Sequence, residues 1–495
     1  MLSIIRLFIV SISLFIGCVH AQSNFNQKDS IFSSSLQETR KIEVILPKNY
    51  DAKIKDAYDV LYVLDGEWYI ELLPNAYNFA KSAGFVPNTI IVLIPNIYIK
   101  GINQRNRDFE PFNKNNSAGY AAFLSFLEKE LFIFIDKQYP NSGKRSLLGS
   151  SLGGLFTVYT FLTSPDIFEA YLACDPNLDW NEEYLSKLAV KRLPEFKNKK
   201  SILFIATNDY SFKANGGYNF RQTLTATAPK SLHWQINTYQ NETHYSLQYK
   251  AFYDALRYSY SGFCLEKFDL IPKDALIELN KPLRLYISNK NPTVRFTIDG
   301  KEPTMKSSRL SPDESIVINR KTIVKVKNLA TREKYADSMN LFFNLTDRSK
   351  EMKTEQMGDT STVHFVSQGL WMELPSSKNI ESISSTQTDS INTKANNYTS
   401  KIYFTRKKIK VNQDGYYVFV ADAPDGSRLY LGNKLLINHP SKSKFGMQSF
   451  AVYLKQGYYT IKAELFQIGD ARKPILRVFK TTKLNDKWWE NEIQL

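Results

Sequence analysis

The chain has 495 residues, 43% hydrophobic and 14% aromatic, with a formal net charge of +15. That length and apolar content exclude a disordered chain and allow about two to four domains around at least one large core. The positive excess is spread along the sequence as lysine without a polybasic block, which points to no nucleic-acid partner, and three cysteines exclude a disulfide framework and a metal-ligand spacing.

In chain order, residues 1–21 read as an export signal. Arg6 precedes an apolar run from Leu7 to Ile16, and Val19-His20-Ala21 offers a cleavage site before Gln22. A periplasmic or secreted protein is therefore expected. Lipid anchoring at Cys18 is a rival reading, for which Phe15-Ile16-Gly17 make a poor preceding sequence. No later segment is apolar enough to predict a transmembrane span. Cys174 and Cys264, the cysteines left after cleavage, are expected as small buried hydrophobes.

From about residue 30 to 265, short apolar runs end in turn residues: RKIEVILP, YDVLYVLDG, TIIVLIPN, KRSLLGSS, EAYLACDP and KSILFIATND. Amphipathic stretches lie between them, such as residues 118–139. Continuous apolar strands separated by helices predict an α/β domain over 22–265, with a mainly parallel sheet covered on both faces.

Within it, Gly149-Ser150-Ser151-Leu152-Gly153 fits G-x-S-x-G, after a strand-like RSLLG and before a helical LGGLFTVYTFL. A serine there stands on a tight turn that lifts its hydroxyl out of the sheet, with small neighbours because the helix packs close. Ser151 is the candidate nucleophile. It needs a base, and His244, in the polar loop QNETHYSL, suits that task better than His233, in the strand-like LHWQINTY. The expected acid is Asp209, at the end of ILFIATN; Asp175 and Glu242 are rivals, and a Ser–His dyad is the alternative. The oxyanion needs two backbone N–H donors, expected at Leu152 and at Gly66 or Glu67 in the turn after LYVLD. Arg107 is expected beside the pocket, binding a carboxylate or phenolic oxygen, with a structural salt bridge as the alternative. Trp68 and Trp180 would stack on a sugar or aryl ring, or else pack in the core.

Residues 35–262 resemble the esterase D and enterochelin-esterase group of α/β hydrolases. The landmarks VILPKNYD, VLYVLDGEW, RNRDFEP, GSSLGGLF, TSPDIFEAYLACDPNLDW and ETHYSL stand in that group's order. The resemblance implies ester hydrolysis through Ser151 and His244, without a cofactor or metal. It breaks at DPNLDW, where the group usually carries a serine in an SPSLWW-like run, and this departure brings Asp175 forward.

Two β-rich regions follow, expected to fold apart from the first domain. Residues 270–345 contain VRFTIDGKEPT and resemble the small β-sandwich found after chitobiase-type catalytic domains. Residues 358–483 contain NQDGYYVFVADAPDGSRLYLGNKLLINH and LKQGYYTIKAELF and resemble the protective-antigen-type β-sandwich. Adhesin members of that group bind calcium through an adjacent acidic pair; here Asp422 and Asp425 flank Ala423-Pro424 and no such pair exists. The fold class expected is an α/β-hydrolase domain with two C-terminal all-β sandwich domains. The function expected is that of a secreted serine esterase acting on an ester carried by a polysaccharide or oligosaccharide. Alternatives are a siderophore-lactone esterase and a glycan-binding or surface-interaction protein with an inactive hydrolase domain.

Overall fold

A computed structural model of the chain describes residues 26–481 except 55, 57, 113–118, 198, 264–269, 288–293, 310–314, 346–352, 357–362, 370–375, 377–399, 440–446 and 470–472. The expected export signal, Cys18 and Cys264 lie outside the described residues. The chain divides into two units: Met1–Leu265 with Ala330–Tyr335, and Glu266–Leu329 with Ala336–Leu495.

Among the described residues the main sheet of the first unit has eight strands: β1 (Asn26–Ser33), β2 (Glu38–Ile45), β3 (Asp59–Leu64), β4 (Thr89–Ile94), β5 (Arg145–Ser150), β6 (Ala170–Cys174), β7 (Ile202–Asn208) and β8 (His233–Tyr239). Their order in the sheet is β1-β2-β4-β3-β5-β6-β7-β8. β1 and β2 form an antiparallel edge, and β4 through β8 run parallel. The unbroken apolar runs of β3, β4, β6 and β7 are buried along their whole length. Because side chains alternate across a strand, each run serves two cores. Val60, Tyr62 and Leu64 enter one core with Phe123, Phe126 and Phe156. Leu61 and Val63 enter the other with Leu73, Tyr77 and Leu256. This is the α/β-hydrolase architecture that the resemblance implies.

Among the described residues ten α-helices cover the sheet: α1 (Gly66–Tyr69), α2 (Leu72–Ser82), α3 (Arg105–Phe109), α4 (Gly119–Phe126), α5 (Phe132–Gln138), α6 (Leu152–Thr163), α7 (Trp180–Arg192), α8 (Asp209–Ala214), α9 (Gly217–Thr227) and α10 (Leu247–Ser259). The amphipathic stretch noted at 118–139 is helical from α4 to α5, joined by a wider π turn at Leu127–Leu131.

The second unit is all-β, as expected, but its strands do not sort into two separate sandwiches. Asp274–Ile277 pairs in parallel with both Ser338–Leu345 and Met447–Leu454, so one eight-stranded sheet takes strands from both expected modules. The central strand Gly415–Asp422 is buried on both faces: Tyr416, Val418 and Val420 face one core, Tyr417, Phe419 and Ala421 the other. Alternation in a sequence marks strands; it does not name their partners. Asp425 accepts the Ile468 N–H at 2.8 Å, which spends that carboxylate on strand pairing. Among the described residues no three His, Cys, Asp or Glu side chains converge as metal ligands, and no helix is long and apolar enough to cross a membrane.

Candidate active site

Three turns at the C-terminal ends of β3, β5 and β6 carry the candidate residues, and each turn begins with a non-glycine residue at positive φ. These are Asp65 (φ 55°), Ser151 (φ 55°) and Asp175 (φ 44°). Such conformations cost on the order of 1–3 kcal/mol each and persist where surrounding contacts hold them. At Ser151 the contacts are clear. Its N–H donates to the Cys174 carbonyl at 2.9 Å, fixing the elbow to the end of β6. Gly149 has to be glycine, since a Cβ there would lie 2.2 Å from the Gly153 carbonyl oxygen. The helix therefore starts hard against the strand, as the small-residue pattern predicts.

Ser151 immediately precedes α6, so the Leu152 N–H is a first-turn donor without an intrahelical acceptor. Gly66 and Glu67 open α1 in the same way, after the left-handed Asp65. The register Val63↔Leu148 between β3 and β5 extends to bring the Gly66 turn opposite the serine turn. The expected donors Leu152, Gly66 and Glu67 thus stand on adjacent strand ends. A Cβ at Gly66 would meet the Ile94 backbone nitrogen at 2.7 Å, so the turn is pressed against β4. The Glu67 carboxylate turns away to accept from Asn96, through its backbone N–H at 3.1 Å and its side-chain amide at 2.9 Å.

The two turns are tied by Arg105, which no sequence pattern singles out. Arg105 holds the fully buried Asp65 carboxylate with Nε at 2.7 Å and Nη2 at 2.9 Å, and the same Nη2 donates to the Ser150 carbonyl at 3.1 Å. Its guanidinium lies 5.0 Å from the centre of the Trp68 ring. Arg107, the arginine expected at the pocket, is elsewhere. It donates to Glu38 at 2.7 and 2.9 Å and to Asp108 at 2.8 Å, in a network completed by the buried Arg40. Burial alone would raise the Glu38 carboxyl, but hydrogen bonds from Arg107 and Arg40 outweigh it and hold Glu38 below the usual carboxylate range. Burial pushes Asp108 up against the pull of the same two arginines. Residues two apart on a helix point about 200° away from each other, so 105 and 107 on α3 could not both face the elbow. The salt-bridge alternative is the one realised for Arg107.

His244 lies in the loop between β8 and α10. Its Nδ1 is 2.6 Å from Asp175 Oδ2. The carboxylate that meets the histidine is therefore Asp175, and the expectation of Asp209 is corrected. Alternation at the end of β7 explains the difference. Asn208 turns inward, buried, and donates to Asp175 Oδ2 at 2.9 Å; Asp209 follows it as the half-buried first residue of α8. Ser211 adds a third donor to the same oxygen, at 3.1 Å. Neither Asn208 nor Ser211 was singled out from the sequence; the departure DPNLDW was the available signal for Asp175. Glu242 is also set aside: it accepts from Ser246 at 2.6 Å and pairs with Lys250, bracing the loop.

The Ser151 hydroxyl donates to Asn177 Oδ1 at 3.5 Å, a long bond that a rotation about χ1 would break. His233 is exposed at the first residue of β8, the opposite end of the sheet from the serine turn. Burial pushes the Cys174 thiol far up, with the charge of Asp175 adding to it, so Cys174 behaves as the buried apolar residue expected. Trp68 is exposed beside Arg105. Trp180 packs against Phe112 and Tyr184, with ring centres 4.9 and 6.0 Å away, so the core-packing alternative describes it.

Comparison with known proteins finds relatives for both parts of the chain. The esterase family model matches residues 33–252, and the PA14 domain model matches residues 365–485. The ferri-bacillibactin esterase BesA of Bacillus subtilis is 27% identical over 172 residues, covering 31% of this chain and 60% of that protein. The siderophore triacetylfusarinine C esterase of Aspergillus fumigatus is 25% identical over 168 residues, covering 32% of this chain and 57% of that protein. The chain thus spans about three-fifths of the length of these curated relatives. An IroE-like serine hydrolase from Shewanella oneidensis, a solved structure, is 30% identical, with 49% of this chain and 82% of that chain covered and a TM-score of 0.44.

Proposed function

We propose that this chain, in which residues 33–252 are an esterase-family domain and residues 365–485 a PA14 domain, hydrolyses carboxylic esters through Ser151, His244 and Asp175. The observation that carries the reading is the 2.6 Å contact between His244 Nδ1 and Asp175 Oδ2. With Nδ1–H donating to the carboxylate, the imidazole keeps Nε2 as its acceptor. The Ser151 hydroxyl leaves Asn177 and gives its proton to Nε2 as Oγ attacks the ester carbonyl carbon. Negative charge gathers on the former carbonyl oxygen, where the N–H groups of Leu152 and of Gly66 or Glu67 receive it. His244 then protonates the departing alcohol oxygen, leaving the acyl group on Ser151. Water, deprotonated by His244, releases the acid and restores the serine. The donors Asn208 and Ser211 hold the Asp175 carboxylate aimed at the ring.

The substrate class this reading favours is a siderophore ester or lactone, supported by the names of two relatives, which act on ferri-bacillibactin and on triacetylfusarinine C. Exposed Trp68, Tyr210 and Tyr245, on or beside the turns after β3, β7 and β8, suit an aromatic acyl group. A carbohydrate-linked ester is the second reading, favoured by the PA14 domain, which would hold the catalytic unit near a polymer. Export through residues 1–21 fits both.

The test is hydrolysis by the purified full-length protein of a catecholate trilactone, feruloylated arabinoxylan and p-nitrophenyl butyrate. The expected kcat/KM on the trilactone is about 10²-fold above that on the butyrate, since the larger substrate offers more binding energy to the transition state. A preference for the arabinoxylan would move the assignment to the second reading. Hydrolysis of none of the three would contradict both.

A further inference from the structure

The first unit is completed from far along the chain, by Ala330–Tyr335. This segment delivers a buried arginine to the N-terminal ends of the strands, opposite the serine turn. Arg332 is 2% exposed and lies with its guanidinium carbon 3.9 Å from the centre of the Tyr260 ring. Its Nε donates to the Ser259 carbonyl at 3.0 Å and its Nη2 to Ser146 Oγ at 2.7 Å. Nη1 reaches Asp59 Oδ2 at 3.2 Å and Glu169 Oε2 at 3.5 Å. Neighbouring residues add to this. The Thr331 N–H donates to the Ser261 carbonyl at 2.8 Å, Lys334 Nζ meets Asp59 Oδ1 at 2.8 Å, and the Tyr335 ring packs edge-on to Phe263 at 5.0 Å.

The receiving groups come from four elements. Asp59 opens β3, Ser146 lies in β5, Glu169 precedes β6, and Ser259 ends α10. Asp59 is fully buried, and apart from the two cations it accepts from Ser142 Oγ at 2.8 Å and Tyr260 Oη at 3.2 Å. A buried carboxylate left with hydroxyl partners alone is a costly arrangement, because the charge has lost water without gaining a counter-ion. The Ser259 carbonyl belongs to the last turn of a helix, where a cation also meets the negative end of the helix dipole. Buried anion, ring face, helix-end carbonyl and serine hydroxyl together match the planar fork of a guanidinium.

We propose that this end of the esterase domain is a docking site for an arginine-bearing segment of the same chain, with residues 330–335 as its occupant, so that the catalytic unit does not end at Leu265 but is closed by Arg332. The proposal is independent of the catalytic reading.

The experiment cuts the covalent connection and asks whether the clasp holds. A protease recognition sequence is inserted after Glu266 in the full-length protein, which is purified, cleaved and run on size exclusion. The expected result is co-elution of the two pieces, and their separation when Arg332→Met and Lys334→Met are combined. A synthetic peptide of residues 329–336 should release the tail from the cleaved wild type, and the same peptide with methionine for arginine should not. In the uncut chain, Arg332→Met should lower the first thermal transition by about 10 °C, and adding Asp59→Asn should recover part of it by removing the stranded charge. Separation of the wild-type pieces on cleavage would overturn the proposal. So would variant pieces that stay together as the wild type does; the wild-type and peptide arms decide even if a variant fails to fold.

Discussion

Ser151→Ala should lower kcat on p-nitrophenyl butyrate by about 10⁵-fold, roughly 7 kcal/mol of transition-state stabilisation, with little change in KM. What remains would come from the oxyanion donors and from substrate binding, neither of which uses the hydroxyl. The protein should stay folded. Alanine keeps the Cβ that the turn at φ 55° already accommodates, and the Ser151 N–H bond to the Cys174 carbonyl does not involve the side chain. An unchanged melting temperature together with the lost turnover would separate chemistry from stability. Full activity in the variant would mean that the elbow presents no nucleophile.

Asp175→Asn should cost about 10³- to 10⁴-fold in kcat, because an amide in that place favours the tautomer of His244 that puts the proton on Nε2. Asp209→Asn and Glu242→Gln should stay within about twofold, as neither side chain meets the imidazole. The comparison uses one ester and all three variants. A dominant loss at Asp209 would contradict the contact between His244 and Asp175. A small loss at all three would support a dyad, with the carboxylate serving only to place the ring.

The proposed nucleophile and base, Ser151 and His244, stand out in the sequence because their signals are local. Glycines at 149 and 153 mark a turn where strand and helix collide, and a histidine in a polar loop downstream has few competitors. The carboxylate that meets His244 is not legible to the same degree. Choosing between Asp175 and Asp209 requires knowing that β6 lies beside β5, and that the chain alternates so that Asn208 takes the inward position. Asp175 also sits at positive φ, a backbone state that nothing in the residue type announces. The two arginines of RNRDF make the same point: only the rotation of a five-residue helix sends Arg105 to the serine turn and Arg107 to Glu38.

In the tail, strand positions were readable from alternation, but the pairing of Asp274–Ile277 with Met447–Leu454 joins residues 176 apart in sequence, and no local pattern encodes that. The docking of Arg332 is likewise a long-range contact. In the sequence it is one lysine- and arginine-containing turn among many, and its partner Asp59 reads as an ordinary strand start.

The central claim is that Ser151 is a nucleophile activated by His244. Its most direct test is reaction of the full-length protein with a fluorophosphonate probe at neutral pH, followed by mass measurement of the intact chain and of its peptides. One probe per chain, attached to Ser151, with loss of ester turnover in step with labelling, is the predicted result; labelling should be absent in Ser151→Ala and much slower in His244→Ala. A protein that resists the probe while still hydrolysing esters, or that carries the label on another residue, would contradict it.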